Sequence, residues 1–227
     1  MYDIIIVGCG ATGSNLIALL SQYAISEKKI KEVFLIDGDM VEKKNFRNQK
    51  FTEKDVNKNK AKVLANRYSK LGVSISYIDK YILHQDELIA TIKNCNNNVI
   101  LIGSVDNTKA RKYMHYAFMD DSIKNIVYID TGNGDKIRDG QTVVGVKANG
   151  KIVMPPVAEF FPEILEEVIE EDEVVEYKCS QIEKHPQNMA VNVMSATVVF
   201  GVLTNIITFN KCDKNILRFS ADKMYLK

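Results

Sequence analysis

The sequence predicts an α/β fold: Rossmann-like, with a mostly parallel sheet, helices on both faces and an antiparallel C-terminal extension. Three observations predict it. Residues 2–7 (YDIIIV) form a short apolar run that reads as a buried strand, and they lead straight into Gly8-Cys9-Gly10-Ala11-Thr12-Gly13, a G-x-G-x-x-G turn. Residues 14–24 follow with Leu16, Ile17, Leu19 and Leu20 at helical spacing. A second apolar run, 32–36, ends at Asp37, which stands 24 residues beyond the last glycine, near the spacing at which an acid can accept hydrogen bonds from ribose hydroxyls. Glycines let the backbone turn tightly and approach a phosphate, and a helix N-terminus supplies free N–H groups and a positive dipole end. A glycine turn that serves only strand–helix packing is the alternative. The strand before it, the helix after it and the acid at the end of the next strand all argue for a nucleotide.

The remaining elements extend this pattern. Residues 25–31 form a charged connector, and 38–49 a polar loop that is neither strand nor helix in period. Ligands bind beyond strand C-termini in open α/β sheets, so this loop is a candidate binding segment. Residues 55–71 read as one helix with Ala61, Val63, Leu64, Ala65, Tyr68 and Leu71 on its apolar side. Lys60 near its start opposes the helix dipole. A bound phosphate would reconcile it, whereas the local sequence alone reads it as one exposed lysine among many. Residues 73–78 alternate as a strand, 86–93 form a short helix, and 99–102 (VILI) form a buried strand ending in Gly103-Ser104-Val105-Asp106-Asn107. A helix over 108–118 and a strand over 126–129 follow, and 140–147 pairs antiparallel. The order β-α-β-α-β-α-β up to about residue 130 specifies the parallel sheet.

The character changes at Asn149. Pro155, Pro156 and Pro162 break regular structure, and 163–176 is an acidic amphipathic stretch, read as a solvated face rather than a docking face for a basic partner. Residues 193–209 form an almost uninterrupted apolar helix, short for a membrane span and better suited to a central or interface position. Residues 217–219 and 223–226 form a closing hairpin. The whole chain, 1–227, reads as one unit: a nucleotide-binding half at 1–135 and a partner-binding and dimerisation half at 136–227, with a crossover segment at about 155–185.

Composition limits the function. Thirty basic and 29 acidic side chains leave a formal charge of +1, with no electrostatic footprint for nucleic acid. The opening MYDIIIV enters a strand at once, so no signal peptide is expected. Cys9, Cys95, Cys179 and Cys212 form no C-x-x-C pair, so no zinc is expected and the thiols read as reduced, in a cytoplasmic protein. His84, His115 and His185 are isolated in sequence.

Taken together, the motifs resemble the ThiF/MoeB/ubiquitin-activating superfamily. They are the glycine turn, Asp37-x-Asp39-x-Val41-x-x-x-Asn45, Gln49, Lys60 and Ser104-x-Asp106-Asn107. Asp130-x-Gly132-Asn133 with Gly140-Gln141, and Cys179 followed by Gln187-Asn188-x-x-x-Asn192, look closest to the short PRTRC-type ThiF-like proteins. The resemblance implies an ATP-dependent adenylyltransferase that activates the C-terminal glycine of a ubiquitin-like or sulfur-carrier protein as an acyl-adenylate. With the apolar run 193–209 it also implies a homodimer; the charge balance and the length of the apolar runs point to neither nucleic acid nor membrane as a partner.

The same resemblance assigns roles. Gly8, Gly10, Ala11, Thr12 and Gly13 admit the nucleotide, and Asp37 holds the ribose. Asn45, Arg47 and Lys60 neutralise phosphate charge, Asp106 holds Mg²⁺, and Asp39, Gln49 and Asn107 complete the nucleotide site. Cys179 is the candidate for capture of the adenylate as a thioester, a packing role being the other reading. The chain departs from the pattern in three ways. Arg47 comes one position earlier than in the usual Asn-Leu-x-Arg-Gln order, an N-terminal helix carrying an arginine into a neighbouring subunit is missing, and the zinc-binding cysteine pairs are absent. Two other readings stay open: a catalytically weakened nucleotide-binding adaptor of the same fold, and an NAD-dependent oxidoreductase.

Overall fold

The computed structural model describes residues 1–134, 138–166 and 189–227. Among these, nine strands form one sheet. β1 (Tyr2–Val7) is flanked on one side by β2 (Ile30–Ile36) and β3 (Ile75–Ile78), and on the other by β4 (Asn98–Gly103) and β5 (Ile126–Asn133). These five strands are parallel. β6 (Asp139–Ala148), β7 (Lys151–Met154), β8 (Ile216–Ser220) and β9 (Tyr225–Leu226) then continue the sheet antiparallel. Both parts of the predicted sheet are therefore present. The chain runs from β1 out to β3, then crosses to β4 on the other side of β1, so the order reverses between β1 and β4. Such a switch point opens a crevice beyond the strand C-termini.

Side chains alternate across the sheet and divide the core in two. Ile4, Ile6, Ile100, Ile102 and Ile129 face one layer with α1 (Ala11–Ala24), α2 (Lys60–Tyr68) and α6 (Met189–Phe209). Ile5, Val7, Val99, Leu101 and Tyr128 face the other, with α3 (Gln85–Lys93), α4 (Thr108–Met119) and α5 (Glu163–Glu166). Strands buried on both faces read as continuous apolar runs, which is why residues 4–7 (IIIV) and 99–102 (VILI) are so uniformly hydrophobic.

Several expectations need correction. Residues 55–71 are not one helix. Asn57 takes a left-handed backbone (φ 60°), and the Asn59 side chain accepts the Lys62 amide at 2.9 Å, capping a helix that starts at Lys60. The polar loop contains a 3₁₀ turn, Lys43–Arg47. The strand over 126–129 continues to Asn133, because Asp130–Asn133 pair with Gln141–Val143 and Gly140 of β6. β7 pairs with β6 and escaped the sequence reading.

The apolar helix runs over Met189–Phe209 and passes a length-and-composition test for a membrane span. Here Ala196, Val199, Leu203 and Ile207 are buried against the core shared with α1, so of the two places read for it, central or interface, it takes a central one within the chain.

Candidate functional site

The glycine turn closes β1 against β4. Gly8 has φ +95°, and a Cβ there would fall 2.6 Å from the Ser104 carbonyl oxygen. At Gly13 a Cβ would lie 2.0 Å from the Gly8 carbonyl oxygen. Ser104 Oγ donates to that same carbonyl at 2.7 Å. These two glycines are demanded by the protein's own packing. Gly10 is different: a Cβ there would meet nothing within 4 Å. The space in front of Gly10 is open, as an approaching ligand requires. Among the described residues no side chain caps the N-terminus of α1, which begins at Ala11. Its first-turn amides are therefore available to an anion.

Asp37 at the end of β2 is tied into this turn. Its Oδ2 accepts the Cys9 amide at 2.6 Å and its Oδ1 accepts the Asp39 amide at 2.7 Å. Burial raises its carboxyl pKa to about 6, against the opposing Lys60 charge and the two amides, with Asp39 adding to the rise. Cys9 is fully buried in the apolar layer, and burial, reinforced by Asp37, pushes its thiol well above the ordinary range. That fits the packing role read from the sequence.

Lys60 is the largest correction to the local reading. It is only 4% exposed, and its Nζ forms an ion pair with Asp39 Oδ2 at 2.7 Å. Burial raises the Asp39 carboxyl, but the Lys60 charge and hydrogen bonds from Lys60 and Tyr81 outweigh it and hold the pKa below the usual carboxylate value. The Lys60 charge is also felt at Cys9 and Asp37, which places the turn, the two acids and the lysine in one electrostatic cluster.

The polar loop lies against α1. Asn15 Nδ2 donates to the Asn48 carbonyl at 3.4 Å, and the Lys50 amide donates to Ser14 Oγ at 3.1 Å. Within the loop, Asn45 is buried and its Oδ1 accepts the Glu42 amide at 2.7 Å, so this side chain shapes the 3₁₀ turn. Gln49 Oε1 is buried without a hydrogen-bond partner among the described residues. Arg47 is exposed. Across the crevice, Asp106 is exposed after β4, and Asn107 caps α4 by accepting the Ala110 amide at 2.7 Å.

No group of three or more His, Cys, Asp or Glu among the described residues could hold a metal by itself. The lone exposed Asp106 carboxylate suits an ion such as Mg²⁺, which takes one or two carboxylates plus phosphate oxygens and water. Cys179, Gln187, Asn188 and His185 lie outside the described residues.

Two features were not identified from sequence. Arg111 Nε lies 3.3 Å from buried Asp130, and its Nη2 donates to the Val105 and Thr131 carbonyls. Gln141, Phe161 and Glu163 join this pair around a cavity of about 440 Å³ beside the start of α4. In addition, Asn133 Nδ2 donates to Asn192 Oδ1 at 2.7 Å, Thr12 Oγ1 donates to the same oxygen at 3.3 Å, and Ser195 Oγ donates to Asn133 Oδ1. This network joins the glycine turn, β5 and α6. Asn133 and Asn192 were visible as motif residues, but their contact was not.

A model described as "ThiF family" matches residues 1–210. No curated protein matches. Among solved structures, PaaA superposes with a TM-score of 0.70 at 18% identity, covering 100% of this chain and 63% of that one. Escherichia coli MccB solved with ATP gives a TM-score of 0.67 at 21% identity, over 99% and 62%. The microcin C7 biosynthetic enzyme MccB in complex with N-formylated MccA gives 0.66 at 22% identity, over 99% and 63%. The chain thus spans less than two thirds of the length of these structures, and at such identities the likeness is one of fold.

Proposed function

The chain belongs to the ThiF family, and on that premise we propose that it is an ATP-dependent adenylyltransferase activating the C-terminal carboxylate of a protein or peptide partner. The observation that carries this reading is the buried Lys60, paired with Asp39 beside a glycine turn whose helix N-terminus carries no side-chain cap among the described residues. A buried lysine beside the turn supplies a fixed positive charge for a polyphosphate. MccB, solved with ATP in one structure and with N-formylated MccA in another, offers the parallel on the same fold.

In this reading the α1 amides and Gly10 receive the phosphates, and Asp37, already oriented by two amides, accepts the ribose hydroxyls. The partner's carboxylate oxygen attacks the α-phosphorus, the bond to the β-phosphate oxygen breaks, and pyrophosphate leaves. Lys60 and Arg47 offset the charge that moves onto the leaving group. Asp106 would hold Mg²⁺, whose chemistry is to screen phosphate oxygens. Catalysis is then positioning and electrostatics, with no proton that a side chain must move. The partner is a ubiquitin-like or sulfur-carrier protein ending in glycine. The chain acts as a homodimer with α6 or its neighbours at the interface, which light scattering at micromolar concentration checks directly.

The test is thermal unfolding with Mg-ATP and, separately, with NAD. Saturation at about a hundred times the dissociation constant stabilises by roughly 2.7 kcal/mol. A shift with ATP that disappears in Lys60→Ala supports the reading. A shift with NAD alone sinks it in favour of a dinucleotide enzyme. ATP binding without pyrophosphate exchange in the presence of the cognate partner would indicate an adaptor.

A further inference from the structure

Tyr81 has no place in the reading above, yet it touches the centre of the site. It stands between β3 and α3, 40% exposed. Its hydroxyl donates a hydrogen bond to Asp39 Oδ1. The other oxygen of that carboxylate, Oδ2, holds Lys60 Nζ at 2.7 Å. One carboxylate therefore joins a phenol to a buried ammonium.

The ring is placed as deliberately as the hydroxyl. A Cβ at Gly38 would fall 2.7 Å from Cγ and Cδ2 of Tyr81, and 2.8 Å from Cε2. Only glycine at position 38 lets the ring lie against the backbone between Asp37 and Asp39.

We propose that Tyr81 is a positioning residue for Lys60, acting through the shared carboxylate of Asp39. This rests on the reading that Lys60 serves the phosphates of a bound nucleotide. A lysine side chain carries up to about 2 kcal/mol of rotamer entropy, so a pre-placed ammonium binds an anion better than a wandering one. Asp39 supplies the placement only if its own carboxylate is held. Tyr81 holds it from the side opposite Lys60. The low carboxyl pKa of Asp39 agrees with two donors on one group.

The experiment compares Mg-ATP with adenosine, which lacks phosphates, by calorimetric titration of the full chain. Tyr81→Phe keeps the ring against Gly38 and removes only the hydroxyl. It should weaken Mg-ATP binding about tenfold, the size expected for losing a hydrogen bond to a charged group, and leave adenosine binding unchanged. In an Asp39→Asn background the same change should have no further effect. Unchanged Mg-ATP binding in Tyr81→Phe overturns the proposal. So does an equal loss for Mg-ATP and adenosine, which would assign Tyr81 to packing alone. If the wild-type chain binds no Mg-ATP, or Lys60→Ala binds it normally, the reading of the site itself falls and this inference with it. Circular dichroism of each variant separates misfolding from a local effect.

Discussion

The Asp37 carboxylate accepts the Cys9 amide at 2.6 Å, which ties the C-terminal end of β2 to the middle of the glycine turn. The contact spans two neighbouring parallel strands and sets the shape of the crevice. It also buries a charge, and the consequences can be measured.

Burial raises the Asp37 carboxyl to about 6, above its ordinary value of 3.8. The folded state therefore binds more protons than the unfolded chain between those values. The stability contribution of this group is fully present below the unfolded pKa and is lost as pH rises through 6. Wild type should lose up to about 3 kcal/mol relative to Asp37→Asn between pH 4 and pH 7. Urea unfolding of both proteins at the two pH values measures this, and a constant difference would refute it.

Gly10 and Gly13 should respond oppositely to alanine. Gly13→Ala forces a Cβ to within 2.0 Å of the Gly8 carbonyl and should cost several kcal/mol or abolish folding. Gly10→Ala meets open space, so the fold should change by no more than about 1 kcal/mol. Its cost should appear in Mg-ATP affinity, with a loss of at least about tenfold from crowding the phosphates. Melting temperature with and without Mg-ATP distinguishes the two.

Half-buried Arg111 pairs with buried Asp130, and Tyr128 donates a second contact, to Asp130 Oδ2 at 3.0 Å. Removing the guanidinium leaves an uncompensated buried acid. Arg111→Met should destabilise by about 3–5 kcal/mol, because desolvation of the remaining charge is no longer offset. Arg111→Met combined with Asp130→Asn should cost less than the sum of the single changes. Additive costs in chemical denaturation would mean that the pair is not coupled.

His115 is 4% exposed, and its Nδ1 has no hydrogen-bond partner among the described residues. Burial lowers its pKa, with Glu159 opposing. The unfolded chain therefore takes up a proton first as pH falls. Stability from this group is present above the ordinary histidine value and is lost as pH drops below it. His115→Leu should flatten the stability profile between pH 7 and pH 5, as followed by urea midpoints. An unchanged slope would assign the acid sensitivity to other groups.

Much of the fold was legible because its signals are local. Residues 4–7 and 99–102 are apolar throughout because both faces of a central parallel strand are covered, and the glycine turn announces the first strand–helix junction. The start of the helix over 55–71 is misplaced in the sequence reading: the apolar side begins only at Ala61, inside the helix that starts at Lys60, and the polar residues before it include Asn57, whose left-handed backbone stands outside the helix. Periodicity reports a face, and where the face has not yet begun it cannot mark the first turn. The strand over 126–129 was cut short because Asp130–Asn133 are polar. They are paired and partly buried by β6, a neighbour that only long-range pairing supplies.

Chain order, strand and turn chemistry and the motif set identify a nucleotide-binding α/β fold, since each is written in residues that touch their immediate neighbours. The character of the site is decided elsewhere. In sequence Lys60 is one lysine among many, whereas in the fold it is buried against Asp39, 21 positions away, and Tyr81 reaches the same carboxylate from 42 positions away. Whether a charge is solvated or held, and by what, depends on which helix covers which strand end. That is a property of packing across the sheet, and no local pattern carries it.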